Sequence, residues 1–262
     1  MRFFSAIWLL LLPLWSFSKE IKVCNSCDVS SIKAAVEMAD SGDVINVTPG
    51  IYKEANIIID KPLSIVGQEG SIIDGEKIGE IIGITSNHVS ISGFTIKNVG
   101  QSYTKDFAAI RLHKADHYKI ENCTLEGTFF GLLVEKSDHG IIRGNHITSE
   151  GTGEANTGNG IHLWHCADAL IDDNYVAHVR DGIYFEFVSE STITNNLSEN
   201  NFRYGLHFMF SNNDIYTDNV FRDNGAGVAV MFSKFIEMER NTFIQNWGTA
   251  SYGLLLKEIY DA

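Results

Sequence analysis

The chain has 262 residues, of which 44% are hydrophobic and only 3 are prolines, a composition that favours an ordered domain with a sizeable core. Its 33 Asp and Glu residues outnumber the 20 Lys and Arg residues, which gives a formal net charge of −13. Because phosphate binding needs concentrated Lys and Arg, this charge argues against nucleic acid as a partner.

The first 18 residues have the pattern of a secretory signal peptide. Arg2 precedes an apolar run from Phe3 to Leu14, and small residues follow before Lys19. This run is shorter than the roughly 20 residues that a membrane-spanning helix needs. The sequence therefore predicts a cleaved signal peptide over 1–18 and an exported domain over 19–262.

The first elements after this segment are one short helix and two strands. Residues 30–40 predict the helix, because their apolar side chains fall on one face, with Ser30 as a candidate cap and Gly42 as a stop. Strands are expected around 44–47 and 57–59. We expect the helix to cover the open first coil of a repeat structure, because such edges need protection.

From residue 94 onward the chain repeats two short apolar strands in a fixed order. The first strand begins with a small residue, and its copies start at Ala109, Gly131, Gly160, Gly182, Gly205, Gly227 and Gly253. The second carries an Asn near its middle, at Asn145, Asn174, Asn196, Asn219 and Asn241. The apolar and polar positions alternate, and most offsets are about 22 residues, which is too short for a helix-loop-helix repeat.

This repeat predicts an all-β fold, a right-handed parallel β-helix in which each strand lies beside its copy in the next coil. The Asn residues should then form a hydrogen-bonded ladder, and the Gly residues should meet the demands of tight corners. The chain stops soon after the Gly253 strand without a capping segment. Either another element covers that edge, or the sequence is a shortened version of a longer one.

Insertions into the repeat all fall at one corner, between the second strand and the next small residue. The inserted loops are Gln101 to Phe107, Ser149 to Asn159 and Asn246 to Ser251. We expect them to line one edge of the rod, where partner binding is plausible.

The four cysteines fall into two groups. Cys24 and Cys27 form a close pair, which predicts a local disulfide in an oxidising compartment, with a thiolate metal or redox site as the alternative. Cys123 and Cys166 lie within the repeat and are expected to be small buried residues.

A candidate metal site lies on the outward positions of the first strand. The central coils place imidazole, carboxylate and thioether groups there, at His162, Glu186, His207, Met209 and Met231. Imidazole and thioether together suit copper, and Met favours the reduced ion. The alternative is an amphipathic outer face that contacts another protein.

The alternative function is a β-helix that binds carbohydrate or acts on it. A polysaccharide lyase, epimerase or hydrolase would need clustered carboxylates and a basic residue. The best available groups are Asp172 with Asp173 and Arg180 with Asp181. These residues occupy turn and corner positions of the repeat. The pairs Asp116-His117 and Asp138-His139 occupy a turn as well, and turn chemistry explains them.

The central coils resemble a known family. The runs 159–165, 180–187, 204–211 and 227–233 are similar to the NosD family, and the segment Tyr204-Gly-Leu-His-Phe-Met209 is the most specific part. Members are periplasmic β-helix proteins required to mature nitrous oxide reductase. The resemblance implies a non-enzymatic periplasmic accessory protein that works with an ABC-type ATPase and permease and a copper chaperone lipoprotein. Together they would supply copper to the reductase.

Overall fold

The computed structural model describes residues 18–102, 104–248 and 252–260. All but the last residue of the predicted signal peptide therefore lies outside the described residues, as do 249–251 of the third inserted loop. The described chain winds into a parallel β-helix of 28 strands, numbered here in chain order, and the predicted fold is confirmed.

Each full coil contributes one strand to each of three parallel sheets. The first sheet contains β1 (Glu20–Val23), β2 (Val44–Val47), β5 (Ser64–Gly67), β8 (Ser90–Ser92), β11 (Lys119–Glu121), β14 (Ile141–Arg143), β17 (Leu170–Asp172), β20 (Thr192–Thr194), β23 (Ile215–Thr217) and β26 (Glu237–Glu239). The second contains β3 (Gly50–Lys53), β6 (Ser71–Asp74), β9 (Thr95–Lys97), β12 (Thr124–Glu126), β15 (His146–Thr148), β18 (Tyr175–Ala177), β21 (Leu197–Glu199), β24 (Val220–Arg222) and β27 (Thr242–Ile244). The third contains β4 (Ile57–Ile59), β7 (Ile82–Ile84), β10 (Ala108–His113), β13 (Phe130–Glu135), β16 (Ile161–Trp164), β19 (Ile183–Glu186), β22 (Tyr204–Met209), β25 (Ala226–Met231) and β28 (Leu254–Lys257).

The predicted second strand is in fact two strands that meet at a corner. Asn145 does not lie at the middle of a strand, because it separates β14 from β15. Gly144 just before it has a φ of 64°, and Asp173, before Asn174, has a φ of 54°. Backbone in the left-handed region ends the strand, so each Asn marks the start of a new sheet.

The Asn residues form the predicted ladder along this corner. Asn196 is 1% exposed, and its Nδ2 donates to the carbonyl oxygens of Ile171 and Thr194 and to Oδ1 of Asn219. Its own Oδ1 accepts hydrogen bonds from the backbone N–H and Nδ2 of Asn174. Each rung therefore satisfies buried backbone groups that the corner takes out of the sheets.

The Gly column reflects close packing between coils. A Cβ at Gly182 would lie 2.1 Å from Oγ of Ser198 and 2.5 Å from the carbonyl oxygen of Gly205. No side chain fits into that space. The requirement for Gly here is therefore steric.

The predicted helix is present but shorter, as α1 (Ile32–Met38), and Ser31 caps it rather than Ser30. The Ser31 side chain accepts a hydrogen bond from the backbone N–H of Ala34. Both carboxylate oxygens of Glu54 accept from the first turn, at the backbone N–H groups of Ile32 and Lys33. The helix packs on β1, β2 and β4 and covers the first coil, as expected.

The cysteines match their predicted environments. Cys24 and Cys27 form a disulfide, whereas Cys123 and Cys166 are free and buried. Burial raises the pKa of each free thiol to about 11, so both stay protonated near neutral pH. Within the described ranges, no helix has the length and apolar character needed to cross a membrane.

Candidate functional site

Two parallel rows of side chains run along the outer side of the third sheet. Strand pairing aligns His162, Tyr184 and His207 on three successive coils. Two residues further along the same strands, pairing aligns Trp164, Glu186, Met209 and Met231 on four coils. We call the first set the imidazole row and the second the methionine row.

His162 links the two rows. Its Nε2 lies 3.8 Å from Oε2 of Glu186, and this contact lowers the pKa of the Glu186 carboxyl group. Its Nδ1 lies 3.4 Å from Nδ2 of Asn159. Oδ1 of Asn159 in turn accepts a hydrogen bond of 3.3 Å from Nε of Arg180. Neighbouring polar groups therefore hold the His162 ring in place.

Tyr184 separates the two imidazoles. Its ring centroid lies 4.6 Å from the centroids of both His162 and His207. Burial raises the pKa of the Tyr184 hydroxyl well above its usual value. Because the Tyr184 ring lies between them, the two imidazoles do not meet at one ion in this arrangement.

His207 is buried, contrary to the prediction that its side chain faces solvent. It is only 3% exposed, because the rings of Tyr184 and Tyr204 pack against it at 4.6 Å and 4.8 Å. Its Nδ1 lies 3.7 Å from Oδ2 of Asp181, which is itself 1% exposed, and Nε of Arg203 lies 3.8 Å from Oδ1 of that carboxylate. His207 thus belongs to a layer beneath the surface.

Several polar atoms of this layer are buried without a hydrogen bond. They are Nε2 of His162, Oδ1 of Asp181, and both Nδ1 and Nε2 of His207. Such a concentration is unusual, because buried polar atoms in proteins are nearly always paired with protein, water or an ion. Among the described residues, these ring nitrogens have no hydrogen-bonding partner.

The donor set fits a soft metal ion better than a hard one. Nowhere in the described ranges do three His, Cys, Asp or Glu residues group so as to hold a metal ion. The thioethers of Met209 and Met231 follow Glu186 on the next two coils of the methionine row, and both side chains are partly exposed. Imidazole with thioether is a donor set that suits copper in its reduced state.

Among the carboxylates of the enzyme interpretation, Asp172 already has structural partners. Oδ2 of Asp172 accepts a hydrogen bond of 2.9 Å from Nε of Arg143, and its Oδ1 accepts from Nδ2 of Asn195. Asp173 lies in the left-handed region at the corner. Asp181 is buried, as described above. Because Asp172 is paired within the coils and Asp181 is buried, these carboxylates do not form an open acidic cluster.

Two of the predicted inserted loops meet on one edge, between the second and third sheets. Nε2 of Gln101 donates to the carbonyl oxygen of Asn156, and both loops line a cavity of about 410 Å³. The second loop is not wholly external, because Thr157 and Asn159 are 2% and 0% exposed. Asn159 also supports the imidazole row, which spacing alone did not reveal.

A row of aromatic side chains beside the methionine row was missed from the sequence. His165, Phe187, Phe210 and Phe232 stack with ring centroids 4.7, 5.1 and 5.0 Å apart. Phe187 and Phe210 are each 42% exposed. Their recurrence at the same place in successive coils was the available signal. They border the methionine row with an apolar strip.

The imidazole row and the methionine row both lie in a part of the chain that matches a known protein family. Residues 148–262 match the family model described as "Periplasmic copper-binding protein (NosD)". A relative from Pseudomonas aeruginosa, named "Probable ABC transporter binding protein NosD", is 34% identical over 146 residues, which is 55% of this chain and 34% of the relative. The resemblance to the NosD family is confirmed. A relative of the same name from Stutzerimonas stutzeri is 30% identical over 131 residues, covering 49% of this chain and 30% of the relative. The chain thus matches about a third of the length of these NosD proteins.

Solved structures support the fold alone. A tailspike protein of bacteriophage CBA120 aligns over 93% of this chain and 42% of its own, with a TM-score of 0.72 and 12% identity. The A-module of the Azotobacter vinelandii mannuronan C-5 epimerase AlgE4 aligns over 82% of this chain and 72% of its own, with a TM-score of 0.59 and 12% identity. At such identity, the likeness to these structures shows the fold and carries no information on function. The match to NosD is a match of sequence.

Proposed function

We propose that this chain is a periplasmic accessory protein that assists delivery of copper to nitrous oxide reductase. One observation carries the proposal: the segment that matches a family described as periplasmic and copper-binding, 148–262, contains all five residues of the candidate copper site. Those residues are His162, Glu186, His207, Met209 and Met231.

Copper is the cargo in this proposal, and the methionine row receives it. The thioethers of Met209 and Met231 bind the reduced ion, and Nε2 of His162 supplies an unpaired nitrogen. Glu186 lies next to His162, and its carboxylate offsets part of the positive charge. His207 lies beneath the site, with its Nδ1 3.7 Å from Oδ2 of Asp181.

The proposed partners are an ABC-type ATPase and permease, a copper chaperone lipoprotein and nitrous oxide reductase. The relatives' printed name supports the first of these, since both are called ABC transporter binding proteins. The chaperone and the reductase follow from the family resemblance. In this proposal the chain contacts the membrane only through these partners.

Substitution of both methionines by leucine tests the site. Leucine keeps the side-chain volume and removes the sulfur, so the fold should persist. We expect Met209→Leu with Met231→Leu to weaken Cu⁺ binding at least about tenfold, or about 1.4 kcal/mol, in a competition titration with a Cu⁺ chelator.

The matched control is Met38→Leu, because Met38 is 57% exposed on α1, away from both rows. It should bind Cu⁺ as tightly as the parent chain. Equal affinity of the double variant and the parent, or no copper binding by the parent, would contradict the proposed site.

A further inference from the structure

A second set of imidazoles forms a column on a different corner, between the third and first sheets. The rings of His88, His117 and His139 stack on three successive coils, with centroids 4.8 Å apart at each step. The ring planes differ by 2° and 10°. All three side chains are exposed, so they form an imidazole column open to solvent.

The fold does not require histidine at this corner. Each of the three has a φ of 57° or 58° and donates its backbone N–H to the next coil. The same corner holds quite different residues in the later coils, also with positive φ: Asp168, Glu190, Asn213 and Phe235. The position demands tolerance of left-handed backbone, and Asn or Asp would meet that demand more readily than His.

Aspartate carboxylates and a groove lie next to the imidazole column. Oδ2 of Asp168 lies 3.4 Å from Nδ1 of His139, at the end of the column. His88 and His117 line a groove of about 230 Å³, together with Val89, Ser90 and the Lys119 side chain. Asp116 and Asp138 lie beside the rings, and Oδ1 of each accepts a backbone N–H from the next coil.

We propose that this column binds a divalent transition-metal ion that prefers imidazole, the class of Ni²⁺, Zn²⁺ and Cu²⁺, through His117 and one neighbouring ring. Imidazole nitrogen is a favoured ligand of these ions. Parallel rings at 4.8 Å do not share an ion as they stand, and no three His, Cys, Asp or Glu residues of the described segments are grouped for one. The rings are exposed, however, and two of them need only turn about their side-chain torsions to meet at one ion.

This site differs in place and chemistry from the proposed copper site. It offers nitrogen and carboxylate oxygen, without a thioether among the column residues, and therefore suits harder ions than the methionine row. Its binding should be independent of Met209 and Met231. The two proposals can therefore fail separately.

Titration of the exported chain with Ni²⁺ by calorimetry tests the inference. His117→Asn removes the middle ring, which either pair would need, and Asn213 shows that Asn fits this corner. We expect at least a tenfold loss of Ni²⁺ affinity. The matched control is His165→Asn, because His165 is also exposed, also has a positive φ, and stacks on Phe187 instead. It should leave the affinity unchanged.

Three results would overturn the inference. Unchanged Ni²⁺ affinity in His117→Asn is one, and an equal loss in His165→Asn is another. The third is loss of Ni²⁺ binding in the Met209→Leu, Met231→Leu variant, which would assign the ion to the other face. Thermal unfolding of His117→Asn, measured alongside, separates a binding role from a structural one: a lower melting temperature with full Ni²⁺ affinity would show that the column serves only to stabilise the coils.

Discussion

The side chain of His207 shows which properties of a residue the sequence repeat predicts and which it does not. The alternation of the repeat predicts that His207 points away from the inner core, but not that Tyr184 and Tyr204 cover it. Burial of an outward side chain depends on its neighbours along the rod axis, and those neighbours vary from coil to coil. The sequence pointed to Asp181 as a candidate carboxylate at a corner of the repeat but not to its contact with His207, which lies on the next coil.

Asp214 is the clearest case of a buried ionisable group. It is fully buried, and its Oδ1 accepts a hydrogen bond from the backbone N–H of Ser191, whereas Oδ2 has no hydrogen bond. Burial raises the pKa of this carboxyl group to about 8. The folded chain therefore keeps a proton there at neutral pH that the unfolded chain releases.

Replacing Asp214 with Asn should stabilise the protein in a pH-dependent way. The raised pKa makes the parent lose stability as pH rises from about 4, near the unfolded value, to about 8. Asn keeps the oxygen that Ser191 needs and does not ionise. We expect the variant to unfold with a free energy about 1–3 kcal/mol higher at neutral pH, and with a smaller gain toward about pH 4. Urea unfolding at several pH values measures this, and a gain that does not change with pH would argue against a buried, protonated Asp214.

At the scale of elements, the sequence predicted the coil period and the Asn ladder but not the third strand of each coil. The spacing of about 22 residues and the recurring Asn can both be read directly from the sequence. The division of one apolar run into β14 and β15 depends on a single left-handed residue, Gly144. Other coils have Asn195 or Asp218 there, so no single residue type occupies the left-handed position before the ladder Asn.

The Asn ladder should be most sensitive at its centre. Asn196→Ala removes a side chain that pairs with Asn174, Asn219 and two backbone carbonyl oxygens. Because those groups stay buried without partners, we expect a loss of about 2–5 kcal/mol in the free energy of unfolding. The control is Asn241→Ala at the last rung, which is partly exposed, so water can replace part of what is lost. Chemical denaturation of both variants measures the difference, and equal losses would contradict the ladder's role in satisfying buried groups.

At the scale of the molecule, the β-helix separates distinct surfaces along and around one rod. The methionine row and its aromatic border lie along the third sheet, within the NosD-matched segment. The imidazole column lies before that segment, on another corner. A stack of similar coils allows this, because each coil contacts mainly its neighbours and an outward position changes without disturbing the rest. Spacing in the sequence predicted the candidate site residues, while their distances and burial came only from the structure.

The X-ray absorption spectrum of the Cu⁺-loaded chain tests the central claim, thioether binding of copper by the methionine row, most directly. We predict sulfur and nitrogen scatterers around copper in the parent chain, and loss of the sulfur contribution in the Met209→Leu, Met231→Leu variant. Because the chain also contains cysteine sulfur, the comparison with the variant decides the source. A copper environment of nitrogen and oxygen alone, or a sulfur contribution that persists in the variant, would contradict the claim.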